Sequence, residues 1–167
     1  MTGRDIMKEK EHLPLFGVGP VYVYIVSMIT LIAFLCRKLS VFEAGKLTEL
    51  KILLIILGII LIVIGAVMWV MAVIVSKVDD NIKKNHLVTT GIYSWVRNPI
   101  YSACMFACTG VILMTGNAFF FVLPFAYWLF MTILMKHTEE KWLRDLYSQE
   151  YEDYCKHVNR CIPWKRK

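Results

Sequence analysis

Three long runs of the chain contain no Asp, Glu, Lys or Arg. They cover residues 16–36, 52–75 and 98–135, which are 21, 24 and 38 residues long. A bilayer core needs roughly 20 apolar helical residues for each crossing, so the first two runs each predict one membrane helix and the third predicts two. Gly116 and Asn117 lie near the middle of the third run, and this pair is typical of a tight turn between helices. The pattern therefore predicts four membrane helices.

The segment after the last run predicts an amphipathic helix that continues from the fourth membrane helix. Apolar and aromatic residues recur there at helical spacing. With about 100° per residue, Glu139 and Glu140 fall on the arcs of these apolar residues, so both carboxylates face the protein. Carboxylates buried at a membrane boundary are costly unless paired, which makes them functional candidates. The alternative is that Glu140 only pairs with Lys136 and Arg144 along the helix surface, worth about 0.3–0.5 kcal/mol.

The composition agrees with a membrane protein and argues against a soluble globule, because 57% of the 167 residues are hydrophobic. The first apolar run is too long for the usual apolar region of a signal peptide and has no A-x-A cleavage site, so we expect a retained helix. The predicted fold class is an all-α integral membrane bundle of about four transmembrane helices with a C-terminal cytoplasmic amphipathic helix.

The net charge of +6 is explained by membrane topology, and we expect no nucleic-acid partner. Fifteen Lys and Arg residues lie in the N-terminal tail, in the segment between the second and third helices and in the C-terminal tail. The segments on the opposite side hold only four: Arg37, Lys38, Lys46 and Lys51. The positive-inside rule then predicts a multi-pass protein with both termini in the cytoplasm.

The chain divides into two regions of different character. Residues 1–75 hold a charged tail and two plain apolar helices, which we interpret as scaffold. Gly58, Gly65 and Ala72 recur every seven residues on the second helix, so either a neighbouring helix approaches this stripe closely or the spacing is chance. Residues 76–167 carry the specific polar residues, and we predict that this region is catalytic.

Five cysteines show no C-x-x-C pair and no even framework. We expect reduced thiols. Cys104 and Cys108, one helical turn apart, favour apolar packing over metal binding, and no metal site is predicted.

The residues just before the third run include an arginine that is a candidate for ligand binding. Gly91 breaks the segment before this run, and a loop with a glycine brings backbone groups close to a ligand. Pro99 suits the first turn of a helix, which places Arg97 at the mouth of the third membrane helix. Two interpretations stay open for Arg97: its side chain extends to lipid phosphate, or it binds a ligand that carries a carboxylate.

Four spaced elements between His86 and Trp164 carry a resemblance to a known family. They are His86-Leu-Val-Thr-Thr-Gly91-Ile-Tyr93, Arg97-Asn98-Pro99-Ile-Tyr101, Glu139-Glu140-x-x-Leu143, and Gln149-Glu150-Tyr151-x-x-Tyr154 leading to Ile162-Pro163. In this order they resemble the signature of the isoprenylcysteine carboxyl methyltransferase-like membrane methyltransferases. That superfamily also includes phospholipid N-methyltransferases.

The resemblance implies an enzyme that uses S-adenosylmethionine in a pocket open to the cytoplasm and takes a lipophilic acceptor from the bilayer. It implies catalytic roles for Arg97, Tyr101 and Glu140. Arg97 would bind a carboxylate, and Tyr101 would line the channel between cofactor and acceptor. The cofactor-binding residues that it implies are His86, Leu87, Val88, Thr90, Gly91, Tyr93, Asn98, Pro99, Glu139 and Glu140.

The chain departs from the family pattern at three places. Asn98 stands where many members have histidine, Ser102 where they have glycine, and Tyr147-Ser148 where Phe-Gly is common. Asparagine cannot take a proton at neutral pH, so residue 98 is not a general base. This favours a carboxylate acceptor, which needs no base, over an ammonium headgroup, although a histidine or a water is an alternative base.

The predicted function is methyl transfer to a lipophilic acceptor. The leading candidate for the acceptor is a prenylcysteine-like carboxylate, which would be methylated on oxygen. The first alternative is N-methylation of a phospholipid of the phosphatidylethanolamine type. A sterol-type membrane reductase that uses NADPH shares part of the arginine-proline-tyrosine pattern, but the chain has no obvious extra basic cluster for a 2′-phosphate. A non-enzymatic membrane subunit is the last alternative. The predicted partners are a lipophilic or lipidated substrate and membrane lipids, and the sequence does not predict the oligomeric state.

Overall fold

A computed structural model describes residues 17–76 and 86–164. The expectations for the N-terminal tail, for most of the polar loop after the second helix and for the last three residues fall outside these ranges. The described residues form five α-helices and no β-strand, which confirms the all-α prediction. The helices are α1 (Gly19–Cys36), α2 (Lys51–Val70), α3 (Pro99–Met114), α4 (Val122–His137) and α5 (Glu139–His157).

Each apolar run forms a helix where the charge pattern predicts one. Three helical segments are long and apolar enough to cross a membrane: α1, α2 with the π turn Met71–Val75, and α4 with the 3₁₀ turn Ala118–Phe121. The remaining helix, α3, is apolar but has only 16 residues, or about 24 Å of helix. Proline at its first turn and a positive-φ glycine just after its end fix these limits. The predicted pair of crossings is therefore one short helix and one long helix.

The short helix α3 lies at the centre of the bundle. It packs along α2 and also contacts α1 and α4. At the closest approach, a Cβ added to Gly58 would lie 2.6 Å from the Gly110 carbonyl oxygen, and one added to Gly65 would lie 2.6 Å from the Ala103 carbonyl oxygen. Of the two interpretations of the small-residue stripe, the structure supports close approach of a neighbouring helix at Gly58 and Gly65.

The end of the bundle away from the candidate site is closed by the predicted hairpin turn. Gly116 has a φ of +63°, and its carbonyl accepts the Leu47 N–H at 2.8 Å. The Asn117 side chain donates to the Phe42 carbonyl at 2.7 Å. These bonds attach the α3–α4 turn to the α1–α2 connection, so this end is built from two linked loops.

The opposite end, which we call the site end, brings together the start of α1, the end of α2, the start of α3 and the end of α4. The chain does not continue smoothly from α4 into α5, because Thr138 has a φ of −126° and a ψ of −91°. A second break lies within α5 at Ser148, with a φ of 44° and a ψ of −117°. These two breaks turn α5 so that its buried face lies against the segment that precedes α3.

Candidate active site

The segment before α3 is shaped by one glycine and held by α5. Residues 86–89 have no regular structure, and Gly91, with a φ of +62°, starts the 3₁₀ turn Gly91–Ser94. Tyr93 in this turn is buried, and its carbonyl accepts the Tyr154 hydroxyl of α5 at 2.6 Å. The loop of the first sequence element is therefore fixed against the helix of the last one.

The C-terminal residues return to the same loop as a short parallel pairing. Val96 and Asn159 form an isolated bridge. The Arg97 N–H donates to the Asn159 carbonyl at 2.8 Å, and the Asn98 N–H donates to the Arg160 carbonyl at 3.3 Å. The Asn98 side chain donates to that same carbonyl at 3.3 Å. As a result, Arg97 and Arg160 both lie beside the start of α5.

Glu140 lies between these two arginines and has no solvent exposure. Arg160 binds it with two hydrogen bonds, from Nε to Oε1 at 2.5 Å and from Nη2 to Oε2 at 2.9 Å. The Nη2 of Arg97 lies 3.5 Å from Oε1 of the same carboxylate. Bidentate guanidinium–carboxylate pairs are among the stronger polar contacts in proteins. The partners of Glu140 thus come from distant parts of the chain, and the surface pairing along the helix is not its main interaction.

The charges around Glu140 decide its ionisation. Burial raises the pKa of this carboxyl, but the hydrogen bond from Arg160 and the positive charge of Arg97 outweigh burial and hold the pKa below its usual value. Glu140 is therefore ionised at neutral pH, and two buried guanidiniums share one negative charge.

Arg97 is buried, with 9% of its side chain exposed. Its Nη1 donates to the Cys155 sulfur, while its Nε has no hydrogen-bond partner among the described residues. A buried donor without a partner costs about 1–3 kcal/mol. The Arg97 side chain therefore points into the protein and does not extend to lipid phosphate, and its binding of a carboxylate-bearing ligand stays a prediction.

Glu139 occupies a different environment from its neighbour. Its Oε1 accepts the Tyr101 hydroxyl at 2.8 Å, and the backbone N–H groups of Val18 and Gly19 at the start of α1 lie near enough to its carboxylate to lower its pKa. Burial raises the pKa of Glu139, and these three donors only partly offset that shift. The adjacent glutamates thus have pKa values displaced in opposite directions.

An open depression of about 460 Å³ lies beside the loop, between the 3₁₀ turn and the second half of α5. Ligand sites for small molecules have volumes of about 300–1,000 Å³. Its walls offer two hydroxyls, two carboxylates, a phenol and an imidazole. The residues that line it are Thr89, Ser94, Glu150, Asp153, Tyr154, His157 and Val158.

The sequence-predicted site residues fall into separate groups at the site end. Arg97, Asn98 and Glu140 meet around Arg160, while Tyr101 and Glu139 meet at the start of α1. Most of the remaining predicted residues lie along the loop before α3, where His86, Thr90 and Gly91 are exposed and Tyr93 is buried. Pro99 begins α3. Leu87 and Val88 are partly buried on this loop.

Sequence reasoning missed Arg160 and the two glycines, Gly17 and Gly19, that lie against Glu139 and Tyr101. Arg160 stands two residues before the Ile162-Pro163 pair of the family pattern, and that spacing was the available signal. The glycines open the first apolar run, and only the structure shows that this run meets Glu139.

Comparison with known proteins identifies the family. The sequence profile described as "Phospholipid methyltransferase" matches residues 49–150. The chain belongs to this family. The resemblance seen in the sequence elements is thereby confirmed at the level of the membrane methyltransferases.

Two curated members of the wider group are similar to part of the chain. Methanethiol S-methyltransferase 1 of Bradyrhizobium diazoefficiens is 33% identical over 92 residues, which cover 49% of this chain and 31% of that protein. Protein-S-isoprenylcysteine O-methyltransferase of Saccharomyces cerevisiae is 35% identical over 79 residues, which cover 47% of this chain and 33% of that protein. The aligned part of this chain spans about a third of the length of these relatives. No solved structure matches the chain significantly.

Proposed function

We propose that this member of the phospholipid methyltransferase family is an integral membrane enzyme that transfers a methyl group from S-adenosylmethionine to a lipophilic acceptor carrying a carboxylate. The acceptor class that we favour is a prenylcysteine-like acid, which would be methylated on oxygen. Family membership supports the methyl transfer, and the name of the yeast relative supports the acceptor class.

The observation that carries the proposal is the incomplete bonding of Arg97. Its guanidinium is buried, its Nε has no partner among the described residues, and its Nη2 contacts Glu140 only at 3.5 Å. A planar guanidinium binds the two oxygens of a carboxylate with parallel hydrogen bonds. An acceptor carboxylate at this position would satisfy the Nε donor that the described residues leave unused.

The charge of the cluster favours an anion over a cation. Arg97 and Arg160 contribute +2 and Glu140 contributes −1, which leaves +1 in a site that is closed to solvent on the Glu140 side. An ammonium headgroup would meet repulsion there, whereas a carboxylate would be attracted.

The residues beside the loop fit the polar parts of S-adenosylmethionine, which has an amino acid end, a ribose and an adenine. In the depression, Glu150 can accept from hydroxyl or ammonium groups, Thr89 and Ser94 can donate and accept, and Tyr154 offers an aromatic surface. Bound there, the cofactor would supply an electrophilic methyl group on a sulfonium. The resemblance adds further proposed cofactor contacts, none of which lines the depression itself: His86, Leu87, Val88, Thr90, Gly91, Tyr93, Asn98, Pro99, Glu139 and Glu140.

Methyl transfer from a sulfonium depends on the positions of the reacting groups and on the placement of charge, and it needs no covalent enzyme intermediate. Arg97 orients the acceptor oxygen, Glu140 fixes Arg97, and Arg160 fixes Glu140. Asn98 cannot accept a proton at neutral pH, but a carboxylate acceptor is already ionised and needs no base. From the resemblance we propose that Tyr101 lines the channel between cofactor and acceptor. The proposed catalytic residues are accordingly Arg97, Tyr101 and Glu140.

A second candidate function is N-methylation of a phospholipid, and the description of the matching family favours it. In that case Arg97 would bind the phosphodiester. The amine would have to lose a proton before the transfer, and the side chains that the described structure bonds to Arg97, Cys155 and Glu140, include no histidine for this step. The bacterial relative is named for methylation of a small thiol, so a sulfur acceptor is a further outcome that an experiment should separate.

Methyl-labelled S-adenosylmethionine distinguishes these acceptors. Purified protein in lipid vesicles is incubated with the labelled cofactor and one acceptor at a time: a prenylated cysteine, phosphatidylethanolamine or methanethiol. We expect label on the prenylated cysteine that mild base releases as methanol, because an ester is base-labile. Base-stable label on phosphatidylethanolamine would replace the first proposal by the second, and volatile dimethyl sulfide would indicate thiol methylation.

A further inference from the structure

Two buried polar atoms near the start of α3 have no hydrogen-bond partner among the residues that the structure describes: Arg97 Nε and Ser102 Oγ. Ser102 has no solvent exposure, and only 9% of the Arg97 side chain is exposed. Leaving a buried donor unpaired is costly, so such atoms in a folded protein indicate a bound molecule or a role in catalysis. The proposed function uses Arg97 and leaves Ser102 without a role.

Ser102 lies in the first turn of α3, close to the charged cluster. Its N–H donates to the Asn98 carbonyl at 3.0 Å, so Ser102 stands one helical turn, or about 6 Å, from Asn98 along the axis. The Asn98 side chain in turn donates to the Arg160 carbonyl at 3.3 Å. In a helix the Cβ atoms tilt toward the N-terminal end, which here is the end at Arg97. The Ser102 hydroxyl therefore lies on the bundle side of the charged cluster.

The guanidinium of Arg97 cannot complete the binding of a carboxylate without sharing a donor. Its Nη1 donates to Cys155, and its Nη2 lies 3.5 Å from Glu140. The Nε donor can bind one carboxylate oxygen, whereas Nη2 is shared with Glu140. Each oxygen of a buried carboxylate accepts hydrogen bonds, so the other oxygen needs a second donor. The Ser102 hydroxyl is such a donor.

The residues that follow Ser102 on α3 are apolar. Ala103 and Met105 are both buried in the hydrophobic core. Ser102 thus stands at the boundary between the charged cluster and the apolar bundle. A lipophilic acid has the same two parts, a charged end and an apolar remainder.

We infer that Ser102 is an acceptor-binding residue, whose hydroxyl donates to the carboxylate oxygen that Arg97 Nε does not bind. The ligand class is a lipophilic molecule that ends in a carboxylate. This inference rests on the proposed function and deepens it, because it names a residue that determines the affinity for the acceptor.

The first test compares KM and kcat in Ser102→Ala, with the full-length protein in lipid vesicles, labelled S-adenosylmethionine and a prenylated cysteine. The KM for the prenylated cysteine should rise about tenfold, because a hydrogen bond to a charged group is lost. Loss of uniform binding leaves kcat within about threefold of the wild type. Ser40→Ala, at an exposed serine of the α1–α2 connection, is the matched control and should change neither constant.

An unchanged KM in Ser102→Ala would overturn the inference. The Kd for S-adenosylhomocysteine, measured on the same variant, should stay within about threefold of the wild type. If that Kd rises about tenfold while the KM for the prenylated cysteine is unchanged, Ser102 contacts the cofactor and the inference is wrong.

The second test is thermal unfolding in detergent, without cofactor. Without any ligand, Ser102→Ala should unfold at or above the wild-type temperature, because the hydroxyl that it removes is buried and unpaired. The prenylated cysteine should raise the unfolding temperature of the wild type more than that of the variant. A fall in the temperature of the unliganded variant would mean that the protein itself bonds the hydroxyl, and equal gains would mean that the acceptor does not. Either result would overturn the inference.

Failure of this inference differs from failure of the proposed function. A wild type that methylates the prenylated cysteine, with Ser102→Ala equal to it in KM, contradicts only the role of Ser102. A wild type that transfers no methyl group contradicts the proposed function. In that case the thermal measurement with the prenylated cysteine still decides whether Ser102 contacts the carboxylate.

Discussion

At the scale of single residues, Glu140 is the most constrained group of the candidate site. Its carboxylate is fully buried and neutralises part of the charge of two guanidiniums. Removing one partner of a buried ion pair leaves the others without compensation, which costs far more than the loss of a surface pair. The orientation of Arg97 therefore depends on the charge of Glu140.

Replacement of this carboxylate tests that dependence. Glu140→Gln should lower kcat/KM for methyl transfer by about 10²-fold, the size of effect seen when one preorganised polar contact of an active site is lost. Steady-state assays with labelled cofactor measure it. Glu152→Gln removes the same charge from an exposed position of α5 and should have no effect. Activity at the wild-type level in both Glu140→Gln and Arg97→Ala would contradict the site.

The pKa values of the paired glutamates predict opposite pH effects on stability. The pKa of Glu139 is raised by burial, so its contribution to stability is largest at low pH and is lost as the pH rises above about 4.3 and through the folded-state pKa. The pKa of Glu140 is lowered by its arginines against the effect of burial. Its contribution is present above the unfolded-state pKa and is lost as the pH falls through the folded-state pKa.

Thermal unfolding as a function of pH measures the Glu139 effect. Relative to the wild type, Glu139→Gln should gain stability as the pH rises through the Glu139 titration, because the variant has no carboxylate to ionise. The groups that face this carboxyl are the Tyr101 hydroxyl and the N–H groups at the start of α1. A stability difference that is constant with pH, or that changes in the opposite direction, would show that the pKa of Glu139 is not raised.

Ser148 is the one described residue other than glycine that has a positive φ. With a φ of 44° and a ψ of −117°, it adopts a conformation that favours glycine, and strain of this kind costs about 1–3 kcal/mol. Glycine is common at this position in the family that the chain resembles, and the positive φ is the physical reason.

Ser148→Gly should therefore stabilise the protein by about 1 kcal/mol, since the strain removed exceeds the entropy that glycine adds to the unfolded chain. Thermal unfolding in detergent measures the change. Glu152→Gly, in a regular turn of the same helix, should instead destabilise by about 1 kcal/mol. A loss of stability in Ser148→Gly would contradict the strained conformation.

At the scale of helices, the contact between α2 and α3 depends on glycines that allow the backbones to approach. A Cβ at residue 65 would lie 2.6 Å from the Ala103 carbonyl oxygen and 3.2 Å from the Ala107 nitrogen, so the two helices must separate to accept it. Gly65→Ala should lower the free energy of unfolding by about 1–3 kcal/mol, the usual cost of overpacking. Chemical unfolding in detergent gives this value.

The neighbouring Ala66 provides the control for this contact. Its side chain lies on the exposed face of α2, so Ala66→Val adds more volume to the same helix without meeting α3. We expect stability close to the wild type. Equal losses in the two variants would mean that added side-chain volume anywhere on α2 lowers stability, and that contact with α3 is not the cause.

The sequence predicted the presence of the helices more accurately than the residues at which they begin and end. Charge-free runs locate the apolar helices because the membrane excludes charge along the whole length of a helix. The short length of α3 escaped because no charge marks its end within the run, and the break at Thr138 escaped because the helical spacing of apolar residues predicts a helix that continues from α4. The hairpin turn was predictable, since Gly116 takes the positive φ that its residue type allows.

Site residues that stand in the spaced elements of the family pattern could be predicted. Contacts between segments that are distant in the chain could not. Arg97 and Glu140 were found because each stands in a spaced element. Arg160 was missed because its partner lies twenty residues away across the α5 kink. Glu139 was predicted to face the protein, but its partners at Val18 and Gly19 depend on how α1 packs, which no local pattern contains.

At the scale of the whole molecule, contacts at its two ends define an alternating arrangement of the four apolar helices. The starts of α1 and α3 meet the start of α5 at the site end through Glu139, and the loops at the other end are joined through Asn117. The helices therefore run alternately up and down. The excess of basic residues predicts that the site end faces the cytoplasm, and this orientation stays a prediction.

The boundary between the two regions proposed from the sequence, at residue 75, also stays a prediction. Both the family match over residues 49–150 and the packing of α2 along α3 extend across it. If residues 1–75 are scaffold, their contribution to the site is the placement of α1 on Glu139 and of α2 on the segment before α3.

Ligand-dependent thermal stability tests the central claim most directly. The purified protein is heated in detergent with S-adenosylhomocysteine, with NADPH or with neither. Saturating S-adenosylhomocysteine should raise the unfolding temperature, because a ligand at about 100 times its Kd stabilises the folded state by about 2.7 kcal/mol. NADPH should leave that temperature unchanged. Stabilisation by NADPH and not by S-adenosylhomocysteine would contradict the account and indicate a membrane reductase.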